Sequence, residues 1–240
     1  MTEHAQIALE NGVGEPFDSA SILPPDPVDA EGDPLPVLHD REYRVRAFRL
    51  AADRVLIRGA VRDQKPPGLY IAIEPEPLTI HHMQIDIDVS YPTLEILSTN
   101  VLFESHPHEQ CVSIVDHYEK LVGLSIARGF THRVRELFGG PRGCTHTTAL
   151  LQAMAPIAVQ CFYSLSAANA QRSDSTSPPT ADQRDEMWKM NLDTCHVWAE
   201  DSDVVAGLRD GVSMGVPVFL RGRLAKLGVE PDDWAPWADD

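Results

Sequence analysis

Between Met1 and Asp40 there is not one lysine or arginine, although nine acids are present (Glu3, Glu10, Glu15, Asp18, Asp26, Asp29, Glu31, Asp33 and Asp40). The stretch from Val229 to Asp240 is built the same way, with Glu230, Asp232, Asp233, Asp239 and Asp240 and no base. Fourteen of the 36 acids thus lie at the ends, and the net charge of -16 shrinks to -2 for the middle of the chain. A nearly neutral middle argues against a nucleic-acid binder, which should concentrate Lys and Arg on one surface. Long apolar runs are also missing, which excludes membrane insertion. The beginning lacks the basic-then-apolar pattern of a secretory signal. The four cysteines are widely spaced and contain no C-x-x-C pair, so they read as reduced thiols of a cytoplasmic protein and not as a disulfide framework.

The pattern of what is present divides the chain. Residues 1–40 carry six prolines and little periodic apolar content, the composition of a disordered acidic leader. Residues 41–228 read as a single α+β domain, with a flexible polar insertion at about 168–186 and an acidic tail at 229–240. Strands are expected over 43–50 and 54–62, joined through Ala51-Ala52-Asp53, with a turn from Asp63 to Pro67. Met83, Ile85, Ile87 and Val89 alternate with Gln84, Asp86, Asp88 and Ser90, the period of a half-buried strand that leaves its acids to solvent or a pocket. A fourth strand is expected from Leu94 to Phe103.

Beyond His106-Pro107-His108 the period becomes helical. Cys111, Val115, Tyr118 and Val122 share one stripe ending at Gly123, and a short helix runs from Thr131 to Phe138. A long helix follows from Thr145 to about Leu165, with Leu150, Met154, Ile157, Cys161 and Leu165 on its buried side and a kink expected at Pro156. A compact segment from Met187 to Trp198 precedes a last helix from Val204 to Leu227, broken at Gly215-Val216-Pro217. Strands first and helices after them predict a small antiparallel sheet with helices packed on one face.

Cys144-Thr145-His146 is the stretch richest in chemistry. It follows Gly139-Gly140-Pro141-Arg142-Gly143, a sequence made for a tight turn, and opens the long helix. A thiol and an imidazole two residues apart are thereby brought to a helix N-terminus, where free N–H groups favour a thiolate or a bound anion. Cys111, Cys195, His196, His81, His106 and His108 complete the inventory of soft ligands and bases. Catalytic thiol chemistry needs one cysteine, an adjacent base and anion-stabilising donors, whereas a zinc or iron site needs three or four convergent ligands. Cys161 reads as core, and Cys111 also lies on an apolar stripe.

Ile80-His81-His82-Met83, Leu121-Val122-Gly123-Leu124, Val134 to Gly140, Arg142 to His146 and Leu192 to His196 together resemble a bacterial family of unknown function, domain of unknown function 2889, over residues 40–200. A weaker likeness, of fold alone, is to iron–sulfur scaffold and sulfur-transfer proteins. The family resemblance implies one converging site of His81, Cys111, Cys144, His146 and Cys195. It also implies a setting in bacterial catabolism or specialised metabolism of hydrophobic acids, steroids or terpenoids, beside thioester enzymes. Where the family continues Leu-Thr-Glu-Leu after Cys-Thr-His, this chain has Thr147-Thr148-Ala149-Leu150, without the acid. Two readings follow. In one, the protein is an enzyme acting on a small hydrophobic metabolite through Cys144, His146 and His81, as a lyase, isomerase, cyclase or hydrolase. In the other, Cys111, Cys144, His146 and Cys195 hold a zinc or iron ion in a carrier. Self-association is left open.

Overall fold

Four strands form an antiparallel meander in the order β1-β2-β3-β4: β1 (Asp40–Ala51), β2 (Arg54–Lys65), β3 (Leu78–Ser90) and β4 (Ile96–Ser105). This computed structural model describes Phe17 and residues 21–172, 185, 188–212 and 215–230. The chain divides into two units, Met1–Leu38 and His39–Asp240. In the first, described residues are exposed and an antiparallel bridge joins Val28 and Pro34 around a turn held by Asp29. Most of the leader before residue 21, most of the insertion and the last ten residues of the tail lie outside the described residues.

The second unit is α+β, as its order of strands and helices requires. Short α1 (Phe130–Phe138) leads through a 3-10 turn at Gly140–Arg142 into α2 (Thr145–Arg172). Among the described residues, α3 (Asp203–Arg209) and α4 (Val218–Leu227) come later in the chain, separated at the glycine and proline that the sequence marks. Helix α2 packs across β1, β2 and β3, and α1 packs on α2. The odd-numbered residues Val55, Ile57, Val61, Met83, Ile85, Ile87 and Val89 turn toward it and are at most 3 % exposed. Leu150, Met154, Ala158, Cys161 and Leu165 meet them from α2, so Cys161 is indeed core. The layers touch closely: a Cβ on Gly59 would lie 2.5 Å from Met154 Sδ.

Several boundaries differ from expectation. β2 continues through Asp63 to Lys65, with a register shift between Asp63 and Gln64 instead of a turn. The segment Glu109–Leu121 is a 3-10 helix, not an α-helix, and buries Tyr118 and Leu121, three residues apart, while Val122 stays exposed. Asp88 is not left to solvent. It is 7 % exposed because the Arg54 side chain lies against it as an ion pair, and Arg58 pairs with Asp86 on the same outer face at 2.7 Å. Pro156 stands inside α2.

Candidate functional site

The inward-facing series of β2 reads Val55, Ile57, Gly59, Val61 and then Asp63, a carboxylate where an apolar residue would be usual. Asp63 is 1 % exposed. A buried charge of this kind persists only when paired and hydrogen-bonded, and the register supplies the partners. Arg41 on β1 and His81 on β3 are the cross-strand neighbours of Asp63, so three strands place a guanidinium, a carboxylate and an imidazole in one row. Arg41 donates through Nε to Oδ1 at 2.6 Å and through Nη2 to Oδ2 at 2.7 Å. His81 Nδ1 lies 3.1 Å from Oδ2, and His39 Nε2 lies 3.5 Å from Oδ1.

The fifth member descends from α2. His146, in its first turn, brings Nε2 to 3.0 Å from Asp63 Oδ2 and stacks on His81 with ring centroids 3.9 Å apart. Its other nitrogen, Nδ1, lies 3.7 Å from Cys144 Sγ. With Nε2–H donated to the carboxylate, Nδ1 carries the lone pair that faces the thiol. The Cys144 carbonyl accepts the first helical hydrogen bond from Thr148, and the Cys144 N–H donates to the buried Tyr118 hydroxyl at 2.9 Å. The turn ahead of it is tight, because a Cβ on Gly143 would lie 2.5 Å from the Phe138 carbonyl oxygen. Thus the glycine-rich turn, the Tyr118 anchor and the helix start together fix the thiol.

Electrostatics give each group a defined state. Burial by itself pushes the Asp63 carboxyl up, but the hydrogen bonds and charge of Arg41, helped by His146 and His39, outweigh it and hold it well below the carboxylate range. Arg41 is raised in turn, chiefly by its bonds to Asp63. Burial, then His81, lower His146 against the pull of Asp63, so the imidazole is neutral near pH 7. Losing Arg41 would leave a buried charge uncompensated. That costs about 3–5 kcal/mol in a closed interior and less here, since Arg41 is 40 % exposed.

Of the residues singled out in the sequence, Cys144, His146 and His81 come together. Cys111 and Cys195 do not join them. Among the described residues, the only three His, Cys, Asp or Glu side chains spaced to hold one ion are Asp63, His81 and His146, whose ligand atoms lie within 4.8 Å of one another. The metal set Cys111, Cys144, His146 and Cys195 is therefore not assembled. Cys111 is carried on the 3-10 helix and packs against the core, and Cys195 is exposed ahead of a 3-10 turn at His196–Trp198. His106 and His108 form a polar turn, with His106 Nδ1 2.9 Å from the His108 carbonyl. Arg41 and His39 escaped the sequence reading, which took Asp63 for the start of a turn and Tyr118 for part of an apolar stripe. An acid in phase with Val55, Ile57 and Val61 was the available signal for Asp63.

Fold and site define a class: a one-sided antiparallel meander whose long helix delivers a thiol–imidazole pair onto a buried carboxylate. Over residues 39–160 the chain matches the family described as Protein of unknown function (DUF2889), and it belongs to that family. No curated protein and no solved structure shows a significant match to it.

Proposed function

We propose that this protein is an enzyme using Cys144 as a nucleophile on the thioester or activated acid of a small hydrophobic metabolite. His146 is its general base, and Asp63 orients the imidazole. One observation carries the reading: Cys144 Sγ is 3.7 Å from one nitrogen of His146, and the other nitrogen is 3.0 Å from a buried carboxylate. This is the order nucleophile, base, orienter that activates a thiol at neutral pH. His146 Nδ1 takes the Cys144 proton as Sγ attacks the substrate carbonyl. The tetrahedral oxyanion then collapses, the carbon–sulfur bond of the thioester breaks, and His146 returns the proton to the leaving thiol. Water, deprotonated by His146, next attacks the acyl-Cys144 thioester; the bond between the carbonyl carbon and Sγ breaks, His146 returns the proton to Sγ, and the acid leaves. The N–H groups of the first turn of α2 lie beside Cys144 and lack helical acceptors, which suits them to the oxyanion. Asp63, held charged by Arg41, keeps the imidazole in the productive tautomer and steadies the imidazolium.

A resident metal fits these residues poorly. Two imidazoles and a carboxylate suit zinc or iron by donor type, but both oxygens of Asp63 are clamped by the Arg41 guanidinium. An ion would have to displace a fixed cation. The reading includes the cytoplasmic setting and the bacterial metabolic role expected from the sequence.

Freshly purified protein should hydrolyse acyl-thioesters and become labelled on Cys144 by iodoacetamide. Cys144→Ser and His146→Gln should each lower kcat at least 100-fold while the thermal midpoint stays near that of the unaltered protein. Stoichiometric tightly held metal, or turnover undiminished in Cys144→Ser, would overturn the proposal.

A further inference from the structure

The two edges of the sheet are finished differently. On the β4 side, the 3-10 helix Glu109–Leu121 packs against the strand. Ile96 N–H there donates to the Leu124 carbonyl at 2.9 Å, and Gly123 N–H donates to the Ile96 carbonyl at 2.9 Å. On the other side β1 pairs with β2 alone, and among the described residues no backbone bond reaches its free edge. That edge belongs to a strand of 12 residues, roughly twice the common length. Tyr43 is 39 % exposed, Phe48 44 % and Leu50 49 %. A long open edge of this kind is a template for another strand.

The charges along the edge define which strand fits. The even-numbered side chains of β1 share the outer face with Arg58 and Arg62 and read Asp40, Glu42, Arg44, Arg46, two acids and then two bases. Such a row complements itself when read antiparallel. A second copy of β1, related by a two-fold axis at Tyr43, sets Asp40 opposite Arg46 and Glu42 opposite Arg44, with Tyr43 facing Tyr43 on the other side of the sheet. An axis at Arg44 or at Glu42 instead sets like charge on like, and a parallel copy in register does so along the whole row. A peptide of one charge sign would match only half of it. Glu42 already holds Arg62 at 2.9 Å and lies 3.4 Å from Arg44 within the chain, yet Glu42 is 37 % exposed and Arg44 55 %. Both therefore have open surface for the second copy.

We infer that β1 is a dimer edge: two copies of this chain join antiparallel along Asp40–Arg46 about a two-fold axis at Tyr43. The sheet then runs unbroken through both copies, and the two α2 helices lie on the same side of it. Arg41 comes to stand opposite Val45 of the second copy, so the interface borders the Asp63 row without supplying a group to it. The inference stands apart from the proposed thiol chemistry, and either can fail alone.

Sedimentation of the full-length protein should show a dimer that dissociates on dilution. Glu42→Arg and Arg44→Glu, each alone, should raise the dissociation constant about tenfold, since each puts like charges face to face twice per dimer. The far-ultraviolet circular dichroism should not change. The double variant Glu42→Arg/Arg44→Glu restores opposite charges in the same register and should recover the dimer. Cysteine cross-linking reads the register directly. Tyr43→Cys should form a disulfide dimer with diamide beyond the level of the unaltered protein, because directly opposed positions come within disulfide reach. Val45→Cys should not, because it faces Arg41. A monomer at every concentration, a dimer indifferent to both single charge changes, a double variant that stays dissociated, or equal cross-linking at positions 43 and 45 would each overturn the inference.

Discussion

Asp63 is the residue on which the site depends. It is nearly inaccessible yet charged, and Arg41, His39, His81 and His146 all turn toward it. Its pH linkage has a definite sign. His146 is lowered from its ordinary 6.5, so protonating it costs more in the folded chain than in the unfolded one. Stability is then whole above about pH 6.5 and declines as the pH falls toward the folded value. The Asp63 carboxyl is also lowered, from 3.8, so its contribution is present above that value and is lost on further acidification. Both act in one direction. The thermal midpoint should fall in two acid stages, and His146→Gln should abolish the upper stage while keeping the lower. A midpoint that rises between pH 6.5 and 5 in the unaltered protein would contradict the assignment of a neutral His146.

At the level of elements, the turn between α1 and α2 aims the thiol, and β3 sets the buried face. Gly143→Ala should push its new Cβ into the Phe138 carbonyl, shift the turn and lower the rate of Cys144 alkylation together with the thermal midpoint. A substitution that lowered only the midpoint would show that the turn does not aim the thiol. On β3, Ile87 is fully buried, so Ile87→Asp should prevent cooperative folding by placing an unpaired charge in the core. Asp88→Leu should fold, because Asp88 lies on the outer face against Arg54. The opposite pair of outcomes, read by circular dichroism and urea unfolding, would place the strand one residue out of register.

For the whole molecule, the second unit begins at His39, one residue before β1. A chain starting at His39 should stay soluble and unfold in a single transition with the midpoint of the full-length protein. Loss of that transition would make the acidic leader part of the fold, contrary to its composition. The same chain keeps His39 beside Asp63, so its thiol reactivity should also match.

Local periodicity was enough for the elements. Alternation of Met83, Ile85, Ile87 and Val89, the helical repeat of Leu150, Met154, Cys161 and Leu165, and the glycines before Cys144 depend on neighbours in sequence and are present where the pattern puts them, although Ile157 of that repeat is only partly buried and Ala158 is buried beside it. The 3-10 helix at Glu109–Leu121 was not legible, because an apolar stripe with spacings of three and four fits either kind of helix until packing selects Tyr118 and Leu121. Cys144 with His146 was legible for a similar local reason. Asp63 was not, since what makes it functional is its register against Arg41 and His81 and the descent of His146 from a helix that starts 82 residues later. Cys195 is exposed and lies beyond residue 160, where the family match ends. Short-range order follows from the chain's own torsions and period, but which charged groups meet is decided by strand pairing and layer packing, where a shift of one residue would turn Asp63 outward to water.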